Sequence, residues 1–193
     1  MGKAEKSSSL TEPLGTRLQQ IQALLEDVDE EAARRLLRMI LRAERVFVTG
    51  KGRSGLVAQC FAMRLMQMGF ETHVPGEATC PRIEQNDLMV AVSCSGTTMT
   101  TVQMARIAHR SGAQVVAVTA DPDSPLAATA DHTILVPVTG EDLREGYRDV
   151  LGPYNNTLFE EAVLLYFDSM VYWALGREGI PERTLTQRHT NLE

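Results

Sequence analysis

Apolar residues recur at spacings of three and four in two early stretches: Leu18, Ile21 and Leu25, then Ala33, Leu36, Leu37 and Ile40. This period predicts two amphipathic helices, 14–25 and 30–41, separated around Asp27-Val28-Asp29, where an aspartate can cap the second. The texture then changes to short apolar runs at 45–49, 71–74, 88–93, 114–119 and 132–137. Between them lie helical patterns at 54–68, 98–110 and, briefly, 124–130. Buried strands alternating with amphipathic helices predict an α/β fold, a doubly wound parallel sheet of five strands. Residues 138–156 are polar and hold Gly140, Gly146, Gly152 and Pro153, which predicts a long loop. The last strong pattern, "TLFEEAVLLYFDSMVYWAL" at 157–175, is apolar almost all round. It predicts a helix buried in the core or against a second subunit. The terminal segment "PERTLTQRHTNLE" is polar, with room for one short helix.

Residues 1–13 read as a flexible polar tail, lacking the apolar run of a secretory leader or membrane anchor. The remaining 14–193 are about the length of one domain with a full core. A formal charge of −6 and the absence of a basic stripe disfavour nucleic acid and anionic membranes as partners. An anionic ligand therefore has to be held by local donors. The three cysteines, Cys60, Cys80 and Cys94, are scattered and fit no metal-ligand spacing, as expected of reduced thiols in the cytoplasm. Cys60 follows the apolar period of its helix and reads as core.

In an open α/β sheet, ligands gather beyond the carboxyl ends of the strands. Three loops qualify: 50–54, 94–98 and 120–124. The first contains Gly50, Gly52 and Gly55 in the G-x-G-x-x-G spacing of dinucleotide folds. That reading also asks for an acid at the end of the next strand, where His73-Val74-Pro75 stand instead. A Walker loop fails as well, because Gly55 is followed by Leu56 and Val57. Taken alone, the loop is equally a tight strand-to-helix turn. The second loop says more. Ser93, Ser95, Thr97 and Thr98 cluster around Gly96 where a helix begins, so hydroxyls, free N–H groups and the positive dipole end converge. One hydroxyl would suffice as a cap; four with a glycine point to a phosphate nest.

The segments "GKGRSG", "FAMRLMQMGF", "SCSGTT", "DPDSPLAATAD" and "RHTNLE" resemble the sugar isomerase (SIS) domain family and, within it, the 6-phospho-3-hexuloisomerase branch. The resemblance runs from about residue 45 to the end. It implies that 14–193 form a single SIS domain with a flavodoxin-like three-layer sandwich, working as a homo-oligomer, commonly a tetramer, with no cofactor and no metal. The implied reaction interconverts 3-hexulose 6-phosphate and fructose 6-phosphate through an enediolate, in the ribulose monophosphate route of formaldehyde fixation. Residue by residue, Ser93, Ser95, Gly96 and Thr98 would cradle the phosphate, and the hydroxyl cluster adds Thr97 to them. Gly52, Arg53 and Ser54 would contact the sugar, and Glu77 would lie near the opening. Glu160 and His189 are the candidate bases, and His189 can reach a neighbour's pocket.

The chain departs from the branch around this pocket. Thr97 stands where Glu is usual, Met99 where Lys often follows, Cys94 replaces a glycine, and Lys51 replaces a small residue. The segment "GPYNNTLFE" is one residue longer than its usual form. These changes leave two alternatives open: an isomerase of another phosphosugar, such as arabinose 5-phosphate or heptose 7-phosphate, and a sugar-phosphate-binding protein without turnover.

Overall fold

The computed structural model describes residues 11–26, 28–138, 156–177, 181 and 183–192. Two helices, α1 (Thr11–Glu26) and α2 (Glu30–Arg42), precede the alternating core. Helix α1 takes in three residues expected of the tail, Pro13 falling in its first turn, where a missing N–H costs no intrahelical bond. Asp29 begins α2, its carboxylate accepting from the Glu31 N–H at 2.9 Å. The core runs β1 (Val46–Gly50), α3 (Gly52–Met68), β2 (Thr72–His73), β3 (Leu88–Val92), α4 (Met99–Arg110), β4 (Gln114–Thr119) and β5 (His132–Leu135). Then follow α5 (Asn156–Arg177) and α6 (Arg183–Gln187). The expected loop 138–156 and the end residues 1–10 and 193 lie outside the described residues, save Val138 and the helical start at Asn156.

All strand pairs are parallel, in the order β2-β1-β3-β4-β5. This is the flavodoxin-like winding, whose direction reverses between β1 and β3. Successive strand residues face opposite ways, which splits the core in two. Val46, Val48, Val90, Val92, Val116 and Val118 pack toward α1, α2, α3 and α5. Phe47, Met89, Ala91, Val115 and Ala117 pack toward α4 and the loop after β4. The result is a three-layer sandwich with most of its helical mass on one face.

Three expectations need correction. The stretch 124–130 forms only a 3-10 turn at Ala127–Thr129, because Ser124 and Pro125 are taken up by the preceding loop. Strand β2 keeps two residues at the sheet edge, paired on one side only. Cys60 is exposed rather than core. Helix α3 has two apolar faces: Ala58, Phe61, Ala62 and Leu65 go inward, with Phe61 stacked on Phe167 at 4.0 Å. Leu56, Cys60, Met63 and Met66 go outward.

Candidate active site

Both loops at the switch point start from paired strand ends, Gly50 lying opposite Val92. In the first, the glycines serve close packing. A Cβ on Gly50 would lie 2.9 Å from the Ser54 carbonyl, and one on Gly55 the same distance from the Gly50 oxygen. Bare backbone contact of this kind brings the start of α3 against β1 and turns Arg53 and Ser54 toward α5. There Arg53 Nε donates to Glu160 Oε2 at 2.6 Å, and Ser54 Oγ donates to Oε1 at 3.2 Å. The Glu160 side chain is 6% exposed, whereas that of Arg53 is 60% exposed. A buried carboxylate is tolerable because each oxygen has a donor. Gly52, at φ +59°, lies exposed beside this pair.

The second loop is clothed in hydroxyls that bond to one another. Ser93 Oγ meets Thr98 Oγ1 at 3.1 Å, and Ser95 Oγ meets Thr97 Oγ1 at 2.8 Å. Thr98 occupies the N-cap of α4 without a side-chain capping bond. Simple capping therefore does not account for the cluster, and the donors of the first turn of α4 have no side-chain acceptor there. Ser93 and Gly96 are buried, Ser95 and Thr98 half-buried, and Thr97 exposed. Met99, on the rim, is 83% exposed. The arrangement can hold a small oxyanion through neutral donors.

Cys94 joins the two halves. Burial, reinforced by the nearby Glu160 carboxylate, pushes its thiol up to about 12. One side of the switch point thus offers a buried carboxylate flanked by a guanidinium and a hydroxyl. The other offers a hydroxyl-lined anion cradle. A base and an electrostatic partner beside an anchored anion can move a proton on a bound substrate.

The remaining candidates stand apart. Glu77 is exposed in the loop after β2, on the same sheet edge, and forms no ion pair among the described residues. His189 is exposed just after α6, its Nδ1 3.2 Å from the Thr190 oxygen. Its neighbour Arg188 rests against Gly69, the C-cap of α3, 3.6 Å from where a Cβ would be. Arg53 and Glu160 meet at the other end of this helix of 17 residues, about 25 Å away. The two candidate bases do not share a site within one chain. Sequence reasoning missed Thr119 and Ser124, which back the second loop, although "DPDSPLAATAD" was the available signal. Among the described residues no His, Cys, Asp and Glu cluster is arranged to hold a metal ion, and no helix is long and apolar enough to cross a membrane.

Comparison with known proteins gives a consistent set of matches. The SIS domain family model matches residues 39–151. The 3-hexulose-6-phosphate isomerase of Mycobacterium gastri is 37% identical over 166 residues, covering 86% of this chain and 82% of its own. The enzyme of that name from Bacillus subtilis is 35% identical over 166 residues, covering 86% and 89%. A solved Methanococcus jannaschii structure, for which a molecular function of 3-hexulose-6-phosphate isomerase was inferred, superposes with a TM-score of 0.81. It is 30% identical, covering 94% of this chain and 99% of that one.

Proposed function

The chain belongs to the SIS domain family and is a phosphosugar isomerase, and we propose that its substrate pair is 3-hexulose 6-phosphate and fructose 6-phosphate. The observation that carries this reading is the buried Glu160 carboxylate, held by Arg53 and Ser54 beside the hydroxyl-lined loop. Shifting a ketone between C2 and C3 is redox-neutral within the sugar and calls for no external oxidant. A base removes the proton on one carbon and returns it to the other, while donors hold the enediolate oxygens. In this reading Glu160 is the base, and Arg53 and Ser54 also serve the developing oxygen charge. Ser93, Ser95, Gly96, Thr97 and Thr98 bind the phosphate, and Gly52 and Glu77 border the sugar.

His189 acts, on this proposal, in the site of a neighbouring copy. Its distance from Glu160 within one chain supports that, as does the exposed apolar stripe of Leu56, Cys60, Met63 and Met66 on α3. Patches of this kind mark protein–protein contacts, and a homo-oligomer, tetramer or dimer, would cover it. Arabinose 5-phosphate is the second reading, because Thr97 and Met99 stand where the branch has charged residues, which puts the choice of sugar in question while leaving the phosphate loop in place.

The test is incubation of the purified protein with each sugar, followed by 13C NMR. Appearance of the 3-ketose from fructose 6-phosphate supports the proposal. Turnover of arabinose 5-phosphate alone would replace it, and saturable binding of either sugar without turnover would mean a sensor.

A further inference from the structure

The end of β4 and the loop after it carry no group given a chemical role above, yet they grip the hydroxyl-lined loop at two carbonyls. The Cys94 oxygen accepts from the Ala120 N–H at 2.9 Å and from Thr119 Oγ1 at 3.0 Å. The Gly96 oxygen accepts from the Leu126 N–H at 3.1 Å. In a trans peptide the C=O and N–H point opposite ways. Drawing the carbonyls of Cys94 and Gly96 back therefore turns the N–H groups of Ser95 and Thr97 away from this loop, toward the open side. The Ser95 N–H has no acceptor among the described residues, and that of Thr97 has only a 3.3 Å contact with Ser95 Oγ.

Two buried side chains back this grip. Thr119 is 0% and Ser124 1% exposed. Ser124 Oγ donates to the Asp121 oxygen at 2.8 Å and accepts from the Ala127 N–H at 3.3 Å, which fixes it as a wall. Gly96 sits against that wall at φ +60°; a Cβ there would come within 2.1 Å of Ser124 Oγ and 3.0 Å of Thr119 Oγ1. Only glycine fits both the conformation and the space.

We propose that Thr119 and Ser124 are positioning residues that aim the Ser95 and Thr97 N–H groups at the phosphate of the substrate. This rests on the phosphate lying in that loop, as in the function proposed above. Neither side chain touches the ligand; Thr119 acts through the Cys94–Ser95 peptide plane, and Ser124 as the wall that fixes Gly96.

Thr119→Val keeps the shape and removes the bond to the Cys94 oxygen, and Thr119→Ser restores the hydroxyl. Thr101→Val is the control, since the buried Thr101 hydroxyl on α4 has no partner among the described residues. Inorganic phosphate is the probe, followed as a competitive inhibitor and by direct calorimetry. Thr119→Val should weaken phosphate binding and raise KM by about tenfold, with kcat nearly unchanged. Thr119→Ser should recover most of that, Ser124→Ala should weaken binding by a smaller factor, and Thr101→Val should change nothing. Equal phosphate affinity in wild type, Thr119→Val and Ser124→Ala overturns the inference and leaves the proposed function standing. A folded Thr119→Val whose kcat falls while KM holds overturns it too. If wild-type protein binds no inorganic phosphate, the phosphate reading fails, and the inference with it. Should Thr119→Val not fold, Ser124→Ala against Thr101→Val decides alone.

Discussion

The two ends of α3 carry different halves of the proposed machinery. At its first turn, Arg53 and Ser54 hold a carboxylate from a helix more than 100 residues later in the chain, and every oxygen of that carboxylate has a donor. At its last turn, Gly69 supports Arg188, and the adjacent His189 faces solvent with only local contacts among the described residues. One end is complete within a single chain and buried. The other is exposed, on a helix whose outer face carries Leu56, Cys60, Met63 and Met66. The difference teaches that burial and full pairing at one end of a helix do not extend to its other end, which here leaves His189 open to solvent.

The sharpest way to break this comparison is Glu160→Gln. It keeps the shape and removes the base, and should lower turnover about 10²–10⁴-fold in initial-rate assays while sugar-phosphate binding persists. A near-normal rate would move the base elsewhere. His189→Ala should also lose most turnover. Mixing unfolded and refolded subunits of the two inactive variants then separates the ends of α3. If His189 serves a neighbouring copy, sites pairing an intact Glu160 with an intact His189 form and activity returns; if it serves its own chain, none returns.

Ser95→Ala should act on the anion cradle alone. It should weaken fructose 6-phosphate binding by roughly 1.5–3 kcal/mol, the usual loss of a hydrogen bond to a charged group, with little change in kcat. Isothermal calorimetry measures it, and an unchanged affinity would move the phosphate to another loop.

The smallest effects concern the thiols. Cys60, on the outer face of α3, should be shielded from a maleimide in the proposed oligomer and react quickly at neutral pH once the copies separate. Cys94, with its thiol held near 12, should react only once the chain unfolds. The folded state keeps the Cys94 proton more tightly than the unfolded chain, whose thiol ionises near 9.0. This contribution to stability is therefore fully present below about pH 9 and is lost as pH rises toward 12. Urea midpoints measured from pH 8 upward should fall in that direction.

The sheet was legible because parallel strands buried on both faces read as continuous apolar runs. Val46–Gly50, Leu88–Val92 and Gln114–Thr119 were found to within a residue. Strand β2 and the stretch 124–130 were overestimated, since an edge pairing and a loop's own hydrogen bonds cut them short. Cys60 was misread because α3 carries apolar residues on two faces, and periodicity alone does not say which face meets the sheet. The hydroxyl cluster of 93–98 is local in sequence and could be read directly. The Arg53–Glu160 pair and the clamp of Thr119 and Ser124 on Gly96 join distant segments, which no local spacing announces. The separation of Glu160 from His189 likewise emerges only once α3 stands between them.

The most direct test of the central claim is proton exchange on fructose 6-phosphate in deuterated water, followed by NMR in the wild type and in Glu160→Gln. Catalysis through a 2,3-enediolate with Glu160 as base predicts deuterium at C3 for the wild type and almost none for the variant. Absence of exchange in the wild type under saturating sugar, or equal exchange in both proteins, would contradict the account.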